Sequence, residues 1–143
     1  MRRKLVSVLG GVAVLAFGAV PAQAHHSFAA EFDAAKPIEL RGVVKKMEWI
    51  NPHSWLTLDV KNPDGSTTTW EVEAGAPNAM FRRGFTRNSL PIGTEVVVNG
   101  FQAKDGQKRA NGRDLRFSDG KLLFMGSSGT PGAPAEESGA PKK

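Results

Sequence analysis

The sequence predicts an all-β fold, a small Greek-key barrel of five to six strands with one short helix, or alternatively a small β-sandwich. Three observations carry this. Residues 55–61 and 67–73 alternate apolar and polar side chains with the period of a half-buried strand. Helix punctuation appears at Pro77 to Gly84, after the third strand. The first strand is long and changes phase near a glycine, as a strand bent to serve two sheets does.

Taken in order, Ile38 to Trp49 is the first strand, with Ile38 and Leu40 on one phase, Val43, Met47 and Trp49 on the other, and the slip at Gly42. Trp55 to Lys61 follows, with Leu56, Leu58 and Val60 inward and Trp55, Thr57 and Asp59 outward. Asn62-Pro63-Asp64-Gly65 is a turn. Thr67 to Glu73 then carries Thr68, Trp70 and Val72 on one face and Thr69, Glu71 and Glu73 on the other. Proline at 77 and glycine at 84 bracket a short helix from Pro77 to Arg83, and a second turn over Thr86 to Leu90 is expected to continue it. Strands resume at Thr94 to Ala103, Arg109 to Ser118 and Lys121 to Met125, joined by turns at Lys104-Asp105-Gly106 and Asp119-Gly120. Three strands, a helix and two further strands, with a bent first strand, make the OB type of barrel the expected architecture. Trp49 and Trp70 are expected in the core, whereas Trp55 is out of phase with the inward leucines and should face solvent or a ligand.

The two ends differ from the middle. Met1-Arg2-Arg3-Lys4 is a basic start, Leu5 to Val20 carries no charge, and Pro21-Ala22-Gln23-Ala24 offers a small-residue cleavage site. These are the parts of a secretory signal, and the apolar run is short for a membrane span. Residues 1–24 are therefore expected to be a cleaved signal peptide, leaving a periplasmic or secreted protein that begins at His25 and has no membrane anchor. Residues 25–37 read as an N-terminal arm, 38–126 as the barrel, and 127–143, rich in Gly, Pro, Ser and Ala, as a disordered tail. Cysteine is absent, so neither disulfides nor a lipid-anchored cysteine is available. Loss of Arg2, Arg3 and Lys4 leaves 16 basic against 14 acidic residues, a net charge of +2. Without a concentrated basic stripe, nucleic acid is not an expected partner. A monomer is expected.

Several stretches carry a family likeness: His25-His26-Ser27-Phe28-Ala29-Ala30-Glu31-Phe32-Asp33, Glu48-Trp49-Ile50-Asn51-Pro52-His53, Pro77-Asn78, Arg82-Arg83-Gly84-Phe85 and Ala103-Lys104-Asp105-Gly106. Together they resemble a family of small secreted bacterial proteins known only as a domain of unknown function, numbered in the six-thousands. The resemblance runs from His25 to Ser127 and implies location and overall shape, with no activity attached.

The chemistry rests on three histidines, His25, His26 and His53. An N-terminal histidine can bind copper through its amine and ring nitrogen together, and a second imidazole completes the set. Such nitrogen donors suit Cu(II). The expected ligands are the amine and ring of His25 with His53 or His26, and Glu31 or Asp33 as a weaker oxygen donor. The competing reading of the same residues is a solvated terminus and a turn-capping His53. A second class of function is a non-metal ligand-binding or protein-interaction module of the cell envelope, using a face around Trp55 with Arg83 beside Arg82 and Arg87. An enzyme is not expected. The chain has no Gly-x-Ser-x-Gly elbow, His-Glu-x-x-His helix, phosphate-cradling loop or cysteine. Glu48 and Asp59, as acid–base partners of His53, are the remaining candidates for such chemistry.

Overall fold

The computed structural model describes residues 28–134. The expectations for a signal peptide at 1–24, for His25 and His26, and for the tail beyond 134 lie outside these residues. In chain order the elements are α1 (Phe28–Glu31), β1 (Phe32–Glu48), β2 (Trp55–Lys61), β3 (Thr67–Glu73), α2 (Pro77–Arg82), β4 (Glu95–Ala103), β5 (Arg109–Phe117) and β6 (Leu122–Phe124).

The strands form one sheet in the order β3-β2-β1-β4-β5-β6, and β3 also pairs with β5. That additional pairing closes a five-stranded ring. Every pairing is antiparallel except β3 with β5, which is parallel and limited to Glu71↔Arg109, Val72↔Ala110 and Glu73↔Asn111. With α2 between β3 and β4, the connectivity is that of the expected OB barrel. Among the described residues no helix is long and apolar enough to cross a membrane.

β1 starts at Phe32, inside the segment expected to be an arm, because Phe32 pairs with Ala103 and packs with Phe101 in a small cluster of its own. The register slip of β1 against β2 lies at Lys45, between Val44 and Lys46, rather than at Gly42. Ile38, Leu40, Gly42 and Val44 therefore share the inward phase, and Val43, on the opposite phase, is exposed. Gly42 serves a different purpose: a Cβ there would lie 2.8 Å from the Asp59 carbonyl oxygen, so only glycine lets β2 approach.

The core is filled by Leu40, Val44, Leu56, Leu58, Trp70, Val72, Val96, Val98 and Leu115, with Met80 of α2 and Met125 closing it. Trp49 is half-buried against this core, its ring 5.1 Å from Phe81 and 6.4 Å from Phe85. α2 ends at Arg82, and Gly84 takes the positive φ of +102° that releases the chain. Thr86 to Leu90 forms a turn, not a helical continuation.

Residues 127–134, expected within a disordered tail, are folded onto the barrel. Thr130 is buried, and its hydroxyl donates to Asn111 Oδ1 at 2.7 Å and accepts the Ser127 amide at 3.0 Å. Composition underestimated this segment because it is held by hydrogen bonds to the barrel and not by apolar side chains.

Candidate functional site

The outward-facing residues of β2 and β3 follow the period of two, so Trp55, Glu71 and Glu73 point away from the core. Glu73 should therefore be solvated, yet it is only 7 % exposed. What covers it begins with His53. The β1–β2 loop is pinned at its base by two backbone bonds, Ser54 N–H to the Gly75 oxygen at 3.1 Å and Ala74 N–H to the Ser54 oxygen at 2.9 Å. These bonds bring the residue before Ser54 against the end of β3, and His53 Nδ1 meets Glu73 Oε1 there. Trp55 is the register partner of Glu73 on the other strand and is half-buried.

A second group stands beside this pair. Glu31 ends the single turn of α1, and its backbone oxygen accepts the Lys104 amide at 2.9 Å. Its carboxylate lies 3.8 Å from Arg109 Nη1, while Arg109 Nη2 reaches Asp105 Oδ2 at 3.2 Å. Arg109 is the first residue of β5, two positions before Asn111, the parallel partner of Glu73. The N-terminal turn, the β4–β5 turn, the β1–β2 loop and the end of β3 thus converge on one outer corner of the barrel. OB barrels commonly bind ligands on this face, which the β1–β2 and β4–β5 loops flank.

The electrostatics follow from the geometry. The hydrogen bond to Glu73 raises the pKa of His53 above its ordinary value of 6.5, the charges of Glu73 and Glu31 add to the effect, and burial opposes it. An imidazole that donates from Nδ1 to a carboxylate is fixed in tautomer and orientation. Its Nε2 is then the nitrogen left for a ligand or a proton, the arrangement by which carboxylates orient metal-binding histidines.

The chain matches a family of unknown function (DUF6152) over residues 13–112. It belongs to that family. No curated protein and no solved structure matches it. The DUF6152 match includes Glu31, His53, Trp55, Glu73 and Arg109, together with His25 and His26, whereas the segment around Thr130 lies beyond it.

In this DUF6152 chain the structure pairs His53 with Glu73, and Glu31, held by Arg109, acts on His53 through its charge. Of the expected site residues, His53 and Trp55 lie at this corner, and His25 and His26 are outside the described residues. Among the described residues no group of three or more His, Asp or Glu side chains converges to hold a metal ion. Glu31 is near enough to influence His53, but Asp33 is turned to the Ala35 amide at 2.9 Å. The expected acid–base partners are engaged elsewhere: Glu48 with Lys46 at 2.7 Å, and Asp59 with Thr69 Oγ1 at 2.6 Å and Lys45 at 3.6 Å. Arg83 is not part of an open ligand face. Its Nη1 donates to the Gly126 oxygen at 2.5 Å and its guanidinium stacks over Phe124, 4.6 Å from the ring centroid.

Glu73 and Arg109 were missed by sequence reasoning. Glu73 looked like one of two ordinary carboxylates on a solvent face, and only the pinned loop, a tertiary feature, distinguishes it from Glu71. Arg109 carried no local signal.

Proposed function

We propose that this protein is a periplasmic binding protein that takes up Cu(II) at the corner formed by His53, through the amine and ring of His25 together with His53, and with His26 as the alternative imidazole. The observation that carries the reading is the donation of His53 Nδ1 to Glu73, which commits Nε2 to an incoming ligand. Chain length supports it further. Phe28 lies 5.3 Å from Phe101 between ring centroids, Phe101 is the register partner of Asn111, and Asn111 is the partner of Glu73. Two strand spacings of about 4.8 Å therefore separate the backbone at Phe101 from that at Glu73. A span of three residues, from His25 to Phe28, reaches at most roughly 10 Å. Cleavage after Ala24 is part of the proposal, since the amine belongs to His25 only then. The role would be sequestration or delivery of the ion.

The test is a Cu(II) titration of the mature protein, its first residue verified by mass spectrometry as His25. A His53→Ala variant and a form with one extra residue before His25 are titrated alongside. One tightly bound equivalent, strongly weakened by both changes, is the expected result. Weak binding indifferent to His53 would sink the reading.

A second reading is favoured by Trp55, half-buried on the same outer face and paired with Glu73. In it, this corner holds an envelope ligand or protein by stacking and hydrogen bonds, and Arg83 takes no direct part. Loss of capture of cell-envelope components in Trp55→Ala, with copper binding absent, would favour it.

A further inference from the structure

The two ends of the described chain approach each other beside Asn111, the register partner of Glu73, and the approach is built from specific groups. Met125 and Gly126 both donate their amides to the Arg113 oxygen, at 2.8 and 3.3 Å, and Gly75 donates to the Met125 oxygen at 2.8 Å. Arg83 holds the Gly126 oxygen. The chain then turns so tightly that a Cβ on Gly126 would lie 2.7 Å from both Cβ and Oγ1 of Thr130, and a Cβ on Gly129 would touch Phe28 at 3.8 Å. Thr130 closes the turn through Ser127 and ties it to Asn111. Asn111 is almost wholly buried although it lies on the outward phase of β5, because this turn covers it. Phe28, on the other side of the contact, packs against Phe32 and Phe101, with centroids 5.9 and 5.3 Å away.

We infer that the segment 126–134 is a clasp that holds the N-terminal arm at Phe28 against the barrel and so presets the arm for ligand binding beside His53. The copper part of this inference rests on the function proposed above; the clasp itself does not. Thr130 is the positioning residue: its hydroxyl is the joint between the turn and Asn111, and Asn111 neighbours Glu73 in register. Fixing the arm before binding removes the conformational entropy that a free arm loses on coordination, so the clasp acts on affinity without touching the ligand.

The experiment uses the mature protein, a Thr130→Val variant that keeps the shape and removes the hydroxyl, and a chain ending at Gly126. Hydrogen exchange is followed in peptides covering residues 28–34, and Cu(II) affinity is measured on the same samples. Thermal melting checks that each barrel is folded. Exchange about ten-fold faster in both variants is expected, with Cu(II) affinity lowered by a similar factor. Unchanged exchange in both variants overturns the clasp. Faster exchange with unchanged affinity overturns its role in presetting the arm. If the parent protein binds no copper, the proposed function fails and the exchange result alone decides the clasp.

Discussion

His53 Nδ1 donates to Glu73 across the joint between the β1–β2 loop and the end of β3, and this contact buries a carboxylate on the solvent phase of its strand. A buried carboxylate is tolerated when it is paired and hydrogen-bonded. The pair therefore has two consequences, one for the titration of the imidazole and one for what its other nitrogen can do.

Glu73→Gln keeps the shape of the side chain and removes its charge. The His53 titration midpoint, followed by NMR, is expected to fall from its raised value toward 6.5. Cu(II) affinity should drop by roughly ten- to a hundred-fold, the usual effect of losing a carboxylate that orients a ligating histidine. A midpoint that does not move would show that the pair is not formed in solution.

Stability should depend on pH through the same group. Because the folded-state pKa of His53 is raised, its contribution is fully present below the unfolded value near 6.5 and is lost as pH rises through the folded value. The metal-free protein is thus expected to melt at higher temperature at pH 6 than at pH 8.5, relative to His53→Gln, in which this component disappears. Melting curves of the two proteins at matched pH and ionic strength are the check.

The strands were legible because burial alternates cleanly at Leu56, Leu58, Trp70 and Val72, and α2 was legible because Pro77 and Gly84 bracket it. The closure of the ring was read from element order alone. The pattern places the slip in β1 at Gly42 because a glycine between apolar residues reads as a break, whereas the pairings Val43↔Asp59 and Val44↔Leu58 carry the register past it to Lys45. His53 was legible as a rare residue type in a loop. Its partner was not, since Glu73 is selected by the Ser54–Gly75 and Ala74–Ser54 bonds, which join residues far apart in sequence.

Arg83 and Arg87 stand in the same stretch of chain but should behave differently. Arg83→Ala removes a hydrogen bond to Gly126 and a contact with Phe124, and a destabilisation of about 1–3 kcal/mol is expected for losing a charged donor of this kind. Arg87 is exposed, 5.6 Å from the Phe81 centroid, so its alanine variant should stay within about 0.5 kcal/mol of the parent. Urea unfolding of both variants compares them directly.

Gly42→Ala tests the close approach of β1 and β2. The added methyl would meet the backbone oxygen of Asp59 and Val60 Cγ2 at 3.1 Å, and the first of these cannot rotate away. A loss of about 1–3 kcal/mol is expected for overpacking of this type. Gly65→Ala, where no atom lies near but φ is +84°, separates backbone strain from collision.

The seam between β3 and β5 is the shortest pairing in the ring, and Glu73 with Asn111 is its last rung. Whatever engages His53 from outside and draws on Glu73 also sits astride that rung. Occupancy of the corner would then act as a rivet through the barrel's narrowest joint: the ligand would slow the parting of β3 from β5, and a rise in melting temperature would report binding.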